Sequence, residues 1–245
     1  KVLRSEIDGN QLKAAVISNM RRVSTLRCSI FDTPAMIQYF LHMKYEARVF
    51  NIPEVEGISK ATMANHLGLY QGYVKHVNVI DEQIKSLGAD VEKNAYAIGE
   101  LQRRLGFEFC GMRNHEYFFA QFEGGASALP DGRLKELIEM QWGGFDVWLK
   151  GFTQVAKARG IGWAMLSYDK HTDTLTNQLV QTWVDEQHIG QLVDVDIILA
   201  LDMWEHSYLM DYASPDKGKY IEAFFNAINW EVVAARVKKK NIGNS

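Results

Sequence analysis

Cysteine is scarce in this chain: only Cys28 and Cys110 occur in 245 residues. Two cysteines cannot make a disulfide framework, and neither sits in a CxxC or CxxH zinc spacing. A reducing compartment, cytoplasm or mitochondrial matrix, is therefore the expected location. Long apolar runs are also lacking. The stretch Ile197–Leu201 is far too short to span a bilayer, so no membrane association is expected. Strong charge of either sign is absent: the formal net charge is −3, and apart from Lys238-Lys239-Lys240 no basic run appears. Nucleic acid is thus not expected as the main ligand. Residues 20–28 carry arginines and a serine but no acid, which an exposed amphipathic helix explains more simply than a targeting segment. There are no internal repeats and no low-complexity tracts.

What is present is an ordinary globular composition, 47% hydrophobic and 23% charged. The first half reads as helices. Asn10–Val23 has apolar residues at helical spacing, and Thr33-Pro34 offers a cap and a first-turn proline for a helix running to Val49. Asn51–Gly57 is a break. Ser59 is expected to cap a long helix ending at Leu87, where Gly88 stops it. Asp90 then opens a second helical stretch through Phe122, with Gly106 and Gly111 as weak points. The pair predicts an antiparallel helical hairpin.

The second half is mixed. Leu134–Trp142 and Phe145–Ala158 read as amphipathic helices. Trp163–Tyr168, Leu175–Val184 and Val193–Leu201 read as strands, and Glu205–Tyr212, Lys217–Ile228 and Trp230–Lys238 as helices. The expected fold is α+β: a long N-terminal hairpin, then a mixed part with a small three-stranded antiparallel sheet. Three segments are expected: an N-terminal helical extension over 1–42, a hairpin domain over 43–125 and an α/β domain over 126–245.

Three places carry chemistry. Asp202-Met-Trp-Glu-His206 follows the buried strand Ile197–Leu201, so a carboxylate and an imidazole four residues apart stand at a strand-to-helix corner. They could converge on one metal, or serve as a cap and a surface group. His115 lies in the aromatic run Asn114–Phe119, where a hydrogen-bonded core histidine is the plainer reading. His66 shares a helix face with Tyr70 and Tyr73, at i, i+4 and i+7. By itself that face is a polar stripe in a helix pair.

Taken together, the order of these pieces resembles the iron/manganese superoxide dismutase family: a histidine on each long helix, then Asp-x-Trp-Glu-His after a buried strand. Gly160-Ile-Gly-Trp-Ala-Met-Leu166 is similar to the family's Gly-Ser-Gly-Trp-Ala-Trp-Leu, and Tyr220–Ala235, containing Asn229-Trp-Glu, is similar to its closing helices. The resemblance covers roughly Met43–Val237, about four-fifths of the chain. It implies that His66, His115, Asp202 and His206 bind one Mn or Fe ion, a mixed nitrogen and oxygen set that suits those metals better than soft ones. It implies dismutation of superoxide to oxygen and hydrogen peroxide. It also implies that Gln187, or His188 if the loop shifts by one, hydrogen-bonds the metal-bound solvent and tunes it. Gly111 stands at the alternative supply point for that glutamine, a pattern resembling the manganese enzymes. Tyr73 matches the family's gateway tyrosine. Trp163, Trp204 and Phe119 match its aromatic wall. Glu205 and Tyr208 match positions that cross its dimer interface, so a homodimer or tetramer is expected.

Four features depart from the family. The interval from His66 to Tyr73 is one residue shorter, as a regular helix would give where the family often has a bulge. Tyr70 stands near a family histidine that hydrogen-bonds across the dimer. Met165 and Phe119 replace tryptophans, and Ile161 a serine. Asp194-Val-Asp196 precedes the last strand, where an apolar-Pro pair is common, and its acids are expected to face solvent. These departures, the extra N-terminal residues and the basic end frame an alternative: a catalytically idle family member serving as a structural subunit of a larger assembly, such as a mitochondrial ribosome, with nucleic acid among its partners.

Overall fold

The computed structural model describes residues 44–181, 188 and 190–237. The expected helix Asn10–Val23 and most of the one expected from Thr33 lie outside the described residues, as do Gln187 and Lys238–Lys240. All that follows concerns the compact unit beginning at Tyr45.

Two long helices form the hairpin, α1 over Lys60–Leu87 and α2 over Ala95–Ala120. Ser59 caps α1 as expected, its Oγ accepting from Thr62 N–H at 3.1 Å. Asp211 adds to that start from far along the chain: its Oδ2 accepts from Ser59 N–H at 2.8 Å and from the Thr62 hydroxyl at 2.7 Å. α1 is regular throughout, without a bulge. α2 begins later than Asp90, because residues 88–94 are spent on a 3-10 turn and bends in which Asp90 Oδ1 accepts from Lys93 N–H and Asn94 Nδ2–H donates to Leu87 O. It runs unbroken through Gly106 and Gly111.

One expected helix is corrected. Residues 44–49 are not helical. Their backbone donors go to side chains of α1 instead, Tyr45 N–H to Asn78 Oδ1 at 2.8 Å and Arg48 N–H to the Tyr70 hydroxyl at 2.9 Å. The segment is a strap along the hairpin.

Beyond the hairpin come α3 (Arg133–Trp142), α4 (Phe145–Ala156) and strands β1 (Gly162–Asp169), β2 (Thr174–Gln181) and β3 (Asp196–Asp202). The sheet is three-stranded and antiparallel, in the order β2-β1-β3. α3 and α4 pack on β2, and α2 packs on β3. Both faces are covered, and residues 162–168 and 197–202 are all buried. β3 starts at Asp196 rather than Val193, because Asp194 adopts a left-handed φ of 57° that ends any extended run. Asp194 and Asp196 face outward, pairing with His171 and Lys170.

After β3, the expected helix Glu205–Tyr212 is a 3-10 turn over Glu205–Ser207 followed by tight turns. The Ser207 hydroxyl lies 2.6 Å from Trp204 O and 3.0 Å from Asp202 O, holding the corner too tightly for an α-helix to start. α5 (Lys217–Ala227) and the short α6 (Trp230–Ala234) close the fold. The α+β architecture with its hairpin and three-stranded antiparallel sheet is therefore as the sequence predicts.

The Asp211 carboxylate links the post-β3 turns to the first turn of α1. Burial works against its charge, but the Ser59 and Thr62 hydrogen bonds outweigh that and hold its pKa below the ordinary carboxylate value. A depressed folded pKa gives stability that is present above the unfolded value, about pH 4, and is lost as pH falls through the folded one. Asp211→Ala is expected to cost about 1 kcal/mol at neutral pH, lowering Tm by about 2–4 °C. The gap from wild type should narrow on acidification below about pH 4. Equal melting temperatures at neutral pH would remove this link.

Candidate metal centre

Four elements each deliver one side chain to a common point. His66 comes from the second turn of α1, His115 from the last turns of α2, Asp202 from the end of β3, and His206 from the 3-10 turn after it. Antiparallel packing of α1 and α2 sets His66 and His115 level, their rings 4.9 Å apart and edge to face. β3 runs beside β1, with Asp202 paired opposite Trp163 in the sheet. The ligand-type atoms of all four residues lie within 4.8 Å of one another. Around Asp202 Oδ2, the Nε2 atoms of His66, His206 and His115 stand at 3.0, 3.2 and 3.7 Å.

Hydrogen bonds outside this group orient it. His115 Nδ1–H donates to Gly111 O at 2.7 Å, which leaves Nε2 as a lone pair turned to the centre. Asp202 Oδ1 accepts from Trp204 N–H at 2.8 Å, so Oδ2 is the oxygen left over. The Asp202 carbonyl accepts from the hydroxyls of Ser207 and Tyr220, at 3.0 and 2.9 Å. Aromatic rings exclude water: Phe118 and Phe119 lie 4.7 and 5.0 Å from His66, and Trp163 5.0 Å from His115.

Burial and charge set the protonation states. Burial, then the neighbouring His66, drives His115 down to about 3, so its ring is neutral at physiological pH. His66 is also lowered, chiefly by burial. For Asp202 burial alone would raise the pKa, but His206 and His66 hold the carboxyl well below its usual range. His206 is pulled up, Asp202 outweighing the effect of burial. The group is thus a permanent carboxylate among imidazoles.

A metal ion fits these residues. His115 Nε2 is buried and has no hydrogen-bond partner among the described residues, an arrangement that costs free energy unless something accepts its lone pair. The donor set of three imidazoles and one carboxylate, with no thiolate, suits Mn or Fe. Side-chain exposure is 2% at His66, 1% at His115, 0% at Asp202 and 21% at His206. Solvent therefore reaches the centre at His206, where a cleft of about 730 Å³ is lined by Tyr73, Phe107, Arg104, His76 and Trp204.

The other residues singled out from the sequence divide. Tyr73 lies with its ring 5.0 Å from that of His115 and lines the cleft. Trp204 stacks on His206 at 5.9 Å. Phe119 and Trp163 wall the centre, as given above. His188 stacks on Phe107 at 5.2 Å, and its Nε2 is 3.2 Å from Phe107 O. Tyr70 turns away: its hydroxyl accepts from Arg48 N–H and donates to Glu116 Oε1 at 3.1 Å. Glu205 is exposed, whereas Tyr208 is buried with its ring 5.5 Å from Tyr220. Sequence reasoning missed the Gly111 carbonyl, Ser207 and Tyr220. The i, i+4 spacing of Gly111 and His115 could have shown the first; nothing local points to Tyr220.

The family description "iron/manganese superoxide dismutases, C-terminal domain" matches residues 130–236. Among curated proteins, the superoxide dismutase [Mn/Fe] of Aeropyrum pernix is 30% identical over 194 residues, covering 78% of this chain and 87% of the relative. The superoxide dismutase [Fe] of Pyrobaculum aerophilum is 30% identical over 71% of this chain and 81% of its own length. The superoxide dismutase [Mn] 2 of Halobacterium salinarum is 34% identical, over 68% and 79%.

His115→Ala removes the one imidazole of the group whose inward-facing nitrogen has no hydrogen-bond partner among the described residues. The variant is expected to purify with almost no bound metal and to melt below the wild type. Full metal content by elemental analysis would overturn this assignment.

Proposed function

The chain belongs to the iron/manganese superoxide dismutase family, and we propose that His66, His115, Asp202 and His206 hold its single Mn or Fe ion. It is an enzyme of that family, a superoxide dismutase, whose substrate is superoxide. The observation that carries the ligand assignment is the buried His115 Nε2, which has no hydrogen-bond partner among the described residues while three other ligand-type atoms crowd the same point. When bound, the ion supplies one-electron redox chemistry, so that one superoxide leaves as oxygen and a second, with two protons, as hydrogen peroxide.

The protein's part is positioning, dryness and proton supply. Gly111 O and Trp204 N–H fix the ligand orientations, and Asp202 brings one negative charge to offset that of a trivalent cation. Phe118, Phe119 and Trp163 exclude water, which strengthens the electrostatics inside. Superoxide, a small anion, enters by the cleft at His206. Tyr73, between that cleft and His115, is placed to pass protons inward. His188, stacked on Phe107, is the candidate for a further hydrogen bond near the centre, its Nδ1 being buried without a partner among the described residues. We favour manganese, because a glycine stands at position 111. We further propose that two chains pair through the face carrying Glu205, and that the protein works in a reducing compartment, cytoplasm or mitochondrial matrix.

Dismutation per bound metal atom, after separate loading with Mn and Fe, tests this reading. Turnover with one metal well above the other is expected, manganese being the more active. Metal bound without activity under either loading would leave a catalytically idle subunit of a larger assembly as the better account.

Gly111 also decides where Tyr73 sits. A Cβ there would lie 2.5 Å from Tyr73 Cε1 and 2.6 Å from Cδ1. Gly111→Ala is expected to keep the metal but displace the ring, lowering dismutation per metal on the order of tenfold. Unchanged turnover would take Tyr73 out of the mechanism.

A further inference from the structure

A second cavity, of about 590 Å³, contains none of the four ligand residues. It is lined by Arg48, Arg113, Glu116, Tyr117, Glu123 and Arg236, among others. Arg236 is partly buried, and its guanidinium meets only neutral acceptors: Nη1 donates to Ile198 O at 2.8 Å and to Gln121 Oε1 at 3.3 Å, and Nη2 to Tyr117 O at 2.9 Å. The Tyr117 ring lies under it at 5.0 Å. Among the described residues no carboxylate pairs with it. Burial, with Arg48's charge adding to the effect, lowers its pKa to about 10.

The acids of the cavity are otherwise engaged. Arg113 holds Glu116 Oε2 at 2.6 Å, and the Tyr70 hydroxyl holds Oε1. Lys170 holds Asp196 at 3.0 Å. Glu123 accepts from Asn51 N–H at 3.2 Å and meets Arg48 only loosely, at 3.8 Å. Of the three guanidiniums that line this space, Arg113 is held by Glu116 and Arg48 only loosely by Glu123, and that of Arg236 has no counter-charge among the described residues. A partly buried cation that meets only neutral acceptors gains from an anion that joins it.

We propose that this cavity is an anion site that binds a phosphate group between the guanidiniums of Arg236 and Arg48. Forked N–H groups suit the several oxygens of a phosphate, and a pair of them suits its double charge. Arg48, half exposed and loosely held, can turn to meet it. Arg236 bonds the backbone of β3 four residues before Asp202 and that of α2 two residues after His115. Phosphate here braces the two elements without touching the metal centre.

The test is thermal unfolding of the metal-loaded protein titrated with inorganic phosphate and, separately, with AMP, at ionic strength held constant with chloride. A saturable rise in Tm is expected. A larger rise with AMP at equal concentration identifies a nucleotide phosphate as the ligand, and equal rises identify the free ion. Arg48→Gln, a half-exposed change that leaves folding and dismutation intact, should weaken the response about tenfold, and Arg236→Lys should weaken it while keeping the charge. No rise beyond the chloride control would overturn the proposal. So would a rise that survives Arg48→Gln and is accompanied by lost dismutation, since that places the phosphate at the metal centre.

Discussion

The Asp202 carboxylate, wholly buried, is the constraint round which the rest is arranged. An ionised carboxylate in an apolar interior is tolerated only with partners, and the imidazoles of His66 and His206 supply them, while His115 Nε2 stands farther off at 3.7 Å. Each must arrive from a rigid element at a set height. The hairpin brings His66 and His115 level, and β3 ends where its last residue meets them. The corner after β3, pinned by Ser207 and Tyr220 on the Asp202 carbonyl, turns His206 back toward the same carboxylate. Disturbing any of these elements leaves a buried charge with too few partners.

The same economy explains the surrounding shell. Helix α2 contributes both His115 and, one turn earlier, the Gly111 carbonyl that fixes its tautomer. That position lacks a side chain, and the Tyr73 ring of α1 fills the room. One residue type thus serves an orientation and a close approach. Tyr70, a turn before Tyr73, goes to a different task. It ties the strap at Arg48 to α1 and, through Glu116 and Arg113, to α2. Two tyrosines on one helix face are divided between the cleft and the framework.

Much of this was legible in the chain. The periodicity of α1, its Ser59 cap and the run Ile197–Leu201 foretell the hairpin and the buried strand, because local propensity and burial agree there. The order of His66, His115, Asp202 and His206 foretells the family. What misled was local pattern overruled by tertiary contact. Residues 44–49 look helical, yet their backbone donors find Asn78 and Tyr70 on α1. Residues 205–212 look helical, yet hydrogen bonds to the Asp202 corner and the pull of Asp211 toward Ser59 hold them in turns.

By itself the sequence determined the α+β class and the positions of the long helices, and it put forward His66, His115, Asp202 and His206 as candidate ligands, since each of these readings depends on residue type and spacing within a segment. Only the tertiary structure decided that their donor atoms meet at one point, that His115 turns Nε2 to that point, that Tyr73 lines the cleft and Tyr70 does not, and that Arg236 is left without an anionic partner among the described residues. Those outcomes depend on distances between segments far apart in the chain, and no local pattern encodes a distance across a fold.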